Sequence, residues 1–468
     1  PPPPTTPPHA PHHPPLAQPE IHHTPVRAET YICGNPPYQG SVNQKSKQKS
    51  DLKDIFGEIV KSYKDLDYVS AWIVKATQYI SSVGGTAGLV ATNSICQGEQ
   101  VAMLWSYIFS QGVEIVFAHT SFLWSNNAAN NAGVTCVILG IGKNRKKFIY
   151  SQDSKKEVTC ISPYLIEGLP VFITKRSEPL SKVSRMVTGN IPSDGGHLIM
   201  AYREMREFIE KNPSLKYFIK RFIGSKELIN GGDRWCFWIE DHELNKALKN
   251  EDIDRRLKLV RAMRESSRGD QARNGISTPH KFVFTPHRKG LAIAVPKVSS
   301  ARREYIPCAL TNDSTVVSDL ARVIYDAPLW NMALIASRLH LIWIATVCGK
   351  LKTDFRYSNT LGWNTFPVPP LTSQNKQDLT RAAENILLAR EHYFPATIAD
   401  MYDPKRMDQE FPEIRRTHEQ NDEILERIYI GRRFKNDTER LEKLFDMYTK
   451  MTQPKPLTNT PKKRKPKP

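Results

Sequence analysis

From Tyr31 to Ile141 the chain alternates apolar segments of two lengths, and this alternation restricts its possible folds more than any other feature. Tyr31–Cys33, Gly88–Thr92 (GLVAT), Val113–His119 (VEIVFAH) and Gly133–Ile141 (GVTCVILGI) are compact apolar runs of strand length. Between the first two, Asp65–Ser81 carries Tyr68, Val69, Trp72, Ile73, Ala76 and Ile80 at spacings of three and four, which predicts an amphipathic helix. Gly98–Ser110 predicts a second helix, and no helix-length segment separates the last two strands. A β-α-β-α-β-β order belongs to an α/β sheet that is parallel until a closing antiparallel hairpin. The segment amounts to half of such a sheet.

The rest of the chain changes texture by region. Residues 1–29 are rich in proline and histidine, bury too little apolar surface to offset ordering entropy, and are expected to be a disordered segment. Its histidines at 9, 12, 13, 22 and 23 read as linker, not as a metal site. Residues 30–150 form the half-sheet domain. Residues 151–370 mix short strands, turns and helices, as an α+β domain does, and 371–452 are polar and helical. Residues 453–468 are a basic tail. The chain opens on Pro1, so it is expected to begin inside a longer gene product or after processing.

Charge bounds the partners. Lys and Arg outnumber Asp and Glu 66 to 48, a formal +18, and the excess favours a polyanion such as nucleic acid. Between Glu251 and Glu304 basic residues exceed acidic ones thirteen to six. The seven cysteines form no CxxC pair and mostly sit in apolar runs, which fits reduced thiols better than a disulfide frame or a zinc site. No metal is expected. No run approaches about 20 consecutive apolar residues and no signal peptide opens the chain, so a soluble cytoplasmic protein without a membrane partner is expected.

The strand Tyr31–Cys33 ends in Gly34 and then Asn35-Pro36-Pro37-Tyr38. This arrangement suits methylation of an exocyclic amine conjugated with a ring, as in adenine. The nitrogen lone pair is delocalised, so the amine is a poor nucleophile until fixed acceptors hold its two hydrogens. The Asn35 side-chain oxygen and the carbonyl between the two prolines supply such acceptors, made rigid by proline's locked φ. Acceptors aimed at the developing ammonium stabilise charge that appears only in the transition state. Tyr38 can stack on a base rotated out of a duplex. The location agrees, because open α/β sheets bind ligands beyond the carboxyl ends of their strands.

ICGNPPY resembles the catalytic motif of amino-methyltransferases that use S-adenosylmethionine. DYVSAWIVKATQYI (67–80), LVATNSICQGEQVAMLW (89–105) and FLWSNNAANNAGVTCVILGI (122–141) narrow the likeness to MmeI-like DNA adenine-N6 methyltransferases of restriction-modification systems. GDRWCFWIED (232–241), PKVSSARREYIP (296–307), VIYDAPLW (323–330) and LKTDFRYSNTLGWNTFPVP (351–369) are similar to that family's target-recognition domain, and TIADMYDPKRM (397–407) to its helical C-terminal part. The resemblance implies a partial Rossmann-like class I methyltransferase sheet, S-adenosylmethionine as cofactor, and double-stranded DNA as partner. It implies catalytic roles for Asn35, Pro36, Pro37 and Tyr38, and a flipped-out adenine as substrate.

One departure from the family pattern bears on the cofactor. The glycine-rich turn that holds its methionine end normally precedes the catalytic motif, and here only Pro-rich sequence does. Gly140-Ile141-Gly142 runs into the charged Lys143–Lys147 and reads as a loop. The family's N-terminal nuclease part is missing too, so the chain is expected to be the C-terminal portion of an enzyme, with no assigned cofactor-binding residue. For DNA contacts the candidates are Arg302, Arg303, Lys350, Lys352 and Arg356, able to meet phosphates or guanine edges. Trp235, Phe237 and Trp238 read as a core strand instead of a stacking platform. Two alternatives stand beside a DNA methyltransferase: a DNA-binding fragment without activity, and an amino-methyltransferase for protein glutamine or RNA.

Overall fold

The structure, a computed structural model, describes residues 29–124, 134–152, 154–232, 234–351 and 353–453. The histidines at 9, 12, 13, 22 and 23, all but the last residue of the expected disordered segment and all but the first of the basic tail lie outside the described residues.

The first half builds one six-stranded sheet from β1 (Tyr31–Gly34), β2 (Thr86–Thr92), β3 (Glu114–Trp124), β4 (Val134–Gly142), β5 (Lys147–Tyr150) and β6 (Lys155–Val158), in the order β1-β2-β4-β3-β5-β6. β1 runs parallel to β2, from Tyr31 opposite Thr86 to Gly34 opposite Leu89. β4 inserts antiparallel between β2 and β3, which is the expected closing hairpin. Helices α1 (Ser46–Phe56), α2 (Ser70–Val83) and α3 (Gly98–Ser110) supply the cover, with α2 against β2 and β4. β1 stops where two successive prolines offer the ladder no N–H.

Four details differ from the sequence expectation. The helix expected over 65–81 starts five residues later, because Asp67 is held by the sheet edge and Ser70 Oγ donates to the Asp67 carbonyl, closing a turn before α2. α1 was not foreseen: its polar sequence buries only Leu52 and Phe56, too few apolar positions to show a period. β5 and β6 extend the sheet past the expected hairpin, and their short charged sequences show no alternation. Gly140 and Gly142 lie inside β4 and form no turn; a Cβ on Gly140 would fall 2.0 Å from the Phe117 ring, so this glycine makes room for β3's aromatic.

Residues 187–356 hold two four-stranded sheets and one three-stranded sheet, an α+β arrangement. Arg234–Phe237 is a strand, and of the expected core residues Phe237 is buried in it, whereas Trp235 is half-buried and Trp238, also half-buried, lies just past its end. α4 (Glu251–Ser266) is capped by Asn250, whose side chain accepts from Ile253 N at 3.1 Å, and carries three carboxylates in its first turn. Then come α5 (Arg338–Val347), α6 (Ser373–His392), α7 (Pro412–Ile430) and α8 (Asp437–Thr452). α6 packs on α7 and α8 on α5. One apolar cluster runs from Leu52 and Trp105 through Trp343 and Trp363 to Leu379 and Tyr448, so half-sheet, mixed region and helical end share a core.

The seam under α7 is polar. His418 donates from Nδ1 to the Ala336 carbonyl (2.9 Å), and its Nε2 meets the Tyr402 hydroxyl (2.6 Å), which also takes a bond from Arg390. Asp422 accepts from Tyr305 (3.0 Å) and from Arg338 N (2.7 Å). Burial pushes His418 and, against Tyr357, His340 down to about 3, and holds Asp422 up at about 7. A buried neutral histidine takes up its proton only on unfolding, so its stabilising effect is complete above about 6.5 and is lost as pH falls toward the folded value. Asp422 acts oppositely between about 4 and 7, but two histidines outweigh one carboxylate. Unfolding free energy in denaturant is therefore expected to fall from pH 7 to pH 5, by at most about 1.4 kcal/mol per pH unit for each histidine. Asp422→Asn should steepen that loss; a flat profile would contradict the account.

Candidate active site and nucleic-acid cleft

The carboxyl edge of the sheet is assembled from three turns: residues 35–39 after β1, 92–94 after β2, and the start of β4. Asn35 is exposed, Pro36 buried, Pro37 exposed and Tyr38 half-buried. Among the described residues, no hydrogen bond takes up the Asn35 side chain or the carbonyls of Asn35 and Pro36. The Tyr38 hydroxyl neighbours the Cys136 thiol on β4. Burial, followed by the neighbouring Cys136 and Asp67, holds that hydroxyl above the usual tyrosine range, so Tyr38 stays neutral.

A residue absent from the sequence candidates fixes this edge. Asp67 is only 4% exposed, too buried for a carboxylate without partners. Its Oδ1 accepts from the backbone N–H groups of Gln39 (3.0 Å) and Val69 (3.2 Å). Its Oδ2 accepts from the hydroxyls of Thr92 (3.0 Å) and Ser94 (3.4 Å). Its own N–H donates to Gln100 of α3 at 2.9 Å. Gln44 completes the clasp, donating to the carbonyls of Gln39 (3.0 Å) and Leu66 (2.9 Å). The residue that follows Tyr38 is thereby held at both its amide and its carbonyl.

Asp67 also lines a cleft of about 680 Å³, and through its bond to Gln39 the motif adjoins this cleft without lining it. Thr92, Asn93 and Ser94 belong to one wall. Lys350 and Arg356, from the three-stranded sheet, and Arg322, from the strand Ala321–Tyr325, belong to the other. Lys350 reaches solvent, yet the walls around its ammonium hold it below the usual lysine range. The five sequence candidates for DNA contact are thus divided. Lys350 and Arg356 line the cleft beside the carboxyl edge of the sheet. Lys352 lies outside the described residues. Arg302 and Arg303 line a separate cavity of about 590 Å³ with Glu304 and Arg338, and burial lowers the Arg303 guanidinium. The two groups remain linked, because Val298-Ser299 pairs with Phe355-Arg356.

The signals for the two missed residues were faint. Arg322 is one cation inside an apolar strand, ARVIY, and Asp67 one carboxylate ahead of an amphipathic helix. As for S-adenosylmethionine, the unpartnered oxygens at Asn35 and Pro36 fit the amine that would receive its methyl group. No residue of this chain is assigned to the cofactor's own polar ends. No helix among the described residues is long and apolar enough to cross a membrane.

Comparison with known proteins follows this geometry. Residues 13–151 match the MmeI DNA-methyltransferase domain, 167–370 the MmeI target recognition domain, and 371–454 the MmeI C-terminal domain. DNA methyltransferase A of Bacillus subtilis (strain 168) is 41% identical over 429 residues, covering 91% of this chain and 48% of that protein. The solved structure of the type IIL restriction-modification enzyme MmeI in complex with DNA superposes with a TM-score of 0.84 at 34% identity, covering 90% of this chain and 57% of the other. The chain thus spans about half the length of the curated relative it matches. Three successive matches in one order, together with that superposition, establish that the chain belongs to the MmeI-like DNA methyltransferase family.

Proposed function

We propose that this chain carries the substrate side of a site-specific DNA methyltransferase. The enzyme moves a methyl group from S-adenosylmethionine to N6 of an adenine flipped out of duplex DNA, within a restriction-modification system. The observation that carries this reading is the Asn35–Pro36 oxygen pair, unpartnered among the described residues and with Asn35 exposed, beside Tyr38 and next to a cleft with a cationic wall. The cofactor supplies an electrophilic methyl group. The chain does the rest: Asn35 Oδ1 and the Pro36 carbonyl accept the two amine hydrogens and turn the nitrogen lone pair toward the methyl group. Both acceptors also stabilise the positive charge that grows there. Tyr38 stacks on the everted base, a contact worth roughly 1–3 kcal/mol. The product ammonium loses its proton to water, so no ionisable base is needed.

Site selection falls to residues 151–370, with Lys350 and Arg356 lining the cleft and Arg302 and Arg303 lining a separate cavity, while Lys352 lies outside the described residues. The cationic wall favours a nucleic acid over a protein glutamine, since a neutral peptide amide gains nothing from it.

Two substitutions test the arrangement in the protein expressed from its complete gene. Asn35→Ala should cut methyl transfer from labelled S-adenosylmethionine to duplex DNA about a hundredfold or more, by analogy with removal of one transition-state hydrogen-bonding group, while DNA affinity stays unchanged. Retained turnover would remove Asn35 from the chemistry, and transfer to protein or RNA instead of DNA would overturn the substrate. Asp67→Ala strands the N–H groups of Gln39 and Val69 in a buried site. At roughly 1–3 kcal/mol per unsatisfied buried group, unfolding free energy should drop by about 2 kcal/mol or more. An unchanged denaturation midpoint would show that the motif loop does not depend on this carboxylate.

A further inference from the structure

The recognition-side wall of the cleft contains more positive charge than it neutralises. Arg322 is half-buried; one terminal nitrogen donates to Thr188 Oγ1 at 2.7 Å, fixing the guanidinium, while its buried Nε has no partner among the described residues. Arg356 lies close enough for its charge to act on Arg322, and both act on Lys297, whose backbone carbonyl accepts from Tyr357 N at 2.8 Å. Burial and this mutual repulsion hold Arg322 and Lys297 below their ordinary ranges, and Asp319 offsets part of the effect.

The carboxylates that line the cleft give no relief. Asp67 is saturated by its four donors, and Glu99 is paired with Lys175 at 2.7 Å. A clustered set of cations at a cleft of ligand size, with one arginine fixed in place, is stabilised by an anion that reaches several of them together.

We propose that Arg322 and Arg356, which both line the cleft, form a phosphate-binding subsite that grips a backbone phosphate of DNA beside the nucleotide everted toward Asn35. This assignment rests on the proposed function and adds the contact that holds the distorted strand. Phosphate contacts position a duplex without reading its sequence. They make affinity fall with salt, by about one unit of slope in log K against log salt for each phosphate neutralised.

The test is fluorescence anisotropy of a labelled DNA duplex with the full-length protein across a salt series. Arg322→Ala should weaken binding and lower the slope by about one unit. Arg356→Ala, at an exposed side chain, should do the same without disturbing the fold. Arg322→Lys, which keeps the charge, should restore the slope. Inorganic phosphate at constant ionic strength should not displace the duplex. An unchanged slope in both alanine variants, a loss that Arg322→Lys does not restore, or displacement by low inorganic phosphate would overturn the subsite. Failure of the unsubstituted protein to bind duplex DNA would instead overturn the proposed function.

Discussion

The carboxylate of Asp67 is the tie on which the site depends. Burying an ionised carboxylate costs several kcal/mol, and the chain offsets this with two backbone amides and two hydroxyls, each a charge-assisted bond. Those four donors come from three pieces of chain that meet only in the folded sheet: the loop after β1, the turn before α2 and the turn after β2. The tie lies outside the β1–β2 ladder and holds the loop that presents Asn35, together with the bonds of Gln44 and Tyr68 N to the Gln39 carbonyl. The sheet thus brings the loops to one edge, and this carboxylate fixes their mutual geometry. Acceptors that stabilise a transition state must be held in place before the reaction, so a clasp next to the motif has a direct chemical purpose.

Charge is distributed with similar economy. The helical end is dense in acid–base pairs: Arg415 with Glu304 and Asp408, Arg440 with the fully buried Glu426, Arg406 with Glu410. The exposed pair Arg406–Glu410 contributes little to stability, but all of these pairs cancel local charge. Much of the formal +18 is therefore left for places where arginine and lysine have no acid partner, and the cleft wall is one of them. The shared apolar core bears on the same point. Because one cluster joins the half-sheet, the strands near Tyr357 and the terminal helices, the two cleft walls are parts of one packed body.

Legibility in the sequence followed how local each cause was. β2, α3 and the closing hairpin could be read because their apolar periods are intrinsic, and the bounds of α3 agree with its sequence pattern. Asn35 to Tyr38 stood out because a proline pair after an apolar strand has a clear mechanical meaning. α1, β5 and β6 escaped because their stability comes from what they pack against. Asp67 and Arg322 escaped for a related reason. Each is one charged residue in an ordinary segment, and its significance arises from residues distant in sequence: Gln39 and Thr92 for the first, Thr188 and Arg356 for the second. Arg302 and Arg303 show the converse. They are adjacent to promising sequence, yet the fold turns them toward Glu304 and Arg338.

In the proposed function, an everted base poses a mechanical problem that the sheet edge and the cationic wall of the cleft address together. Taking a nucleotide out of the stack costs a few kcal/mol, and the aromatic contact from Tyr38 returns part of that. Stacking holds only the base, however, and a base free to swing on its backbone would not keep its amine between two small acceptors. Fixing the neighbouring phosphate removes that freedom, and a guanidinium already tethered to Thr188 does so with little further loss of side-chain entropy. In the proposed reading, a rigid acceptor pair beside the cleft and a tethered cation on its wall hold the two ends of a nucleotide. Joined by one core, they convert binding energy at the phosphate into orientation at the amine.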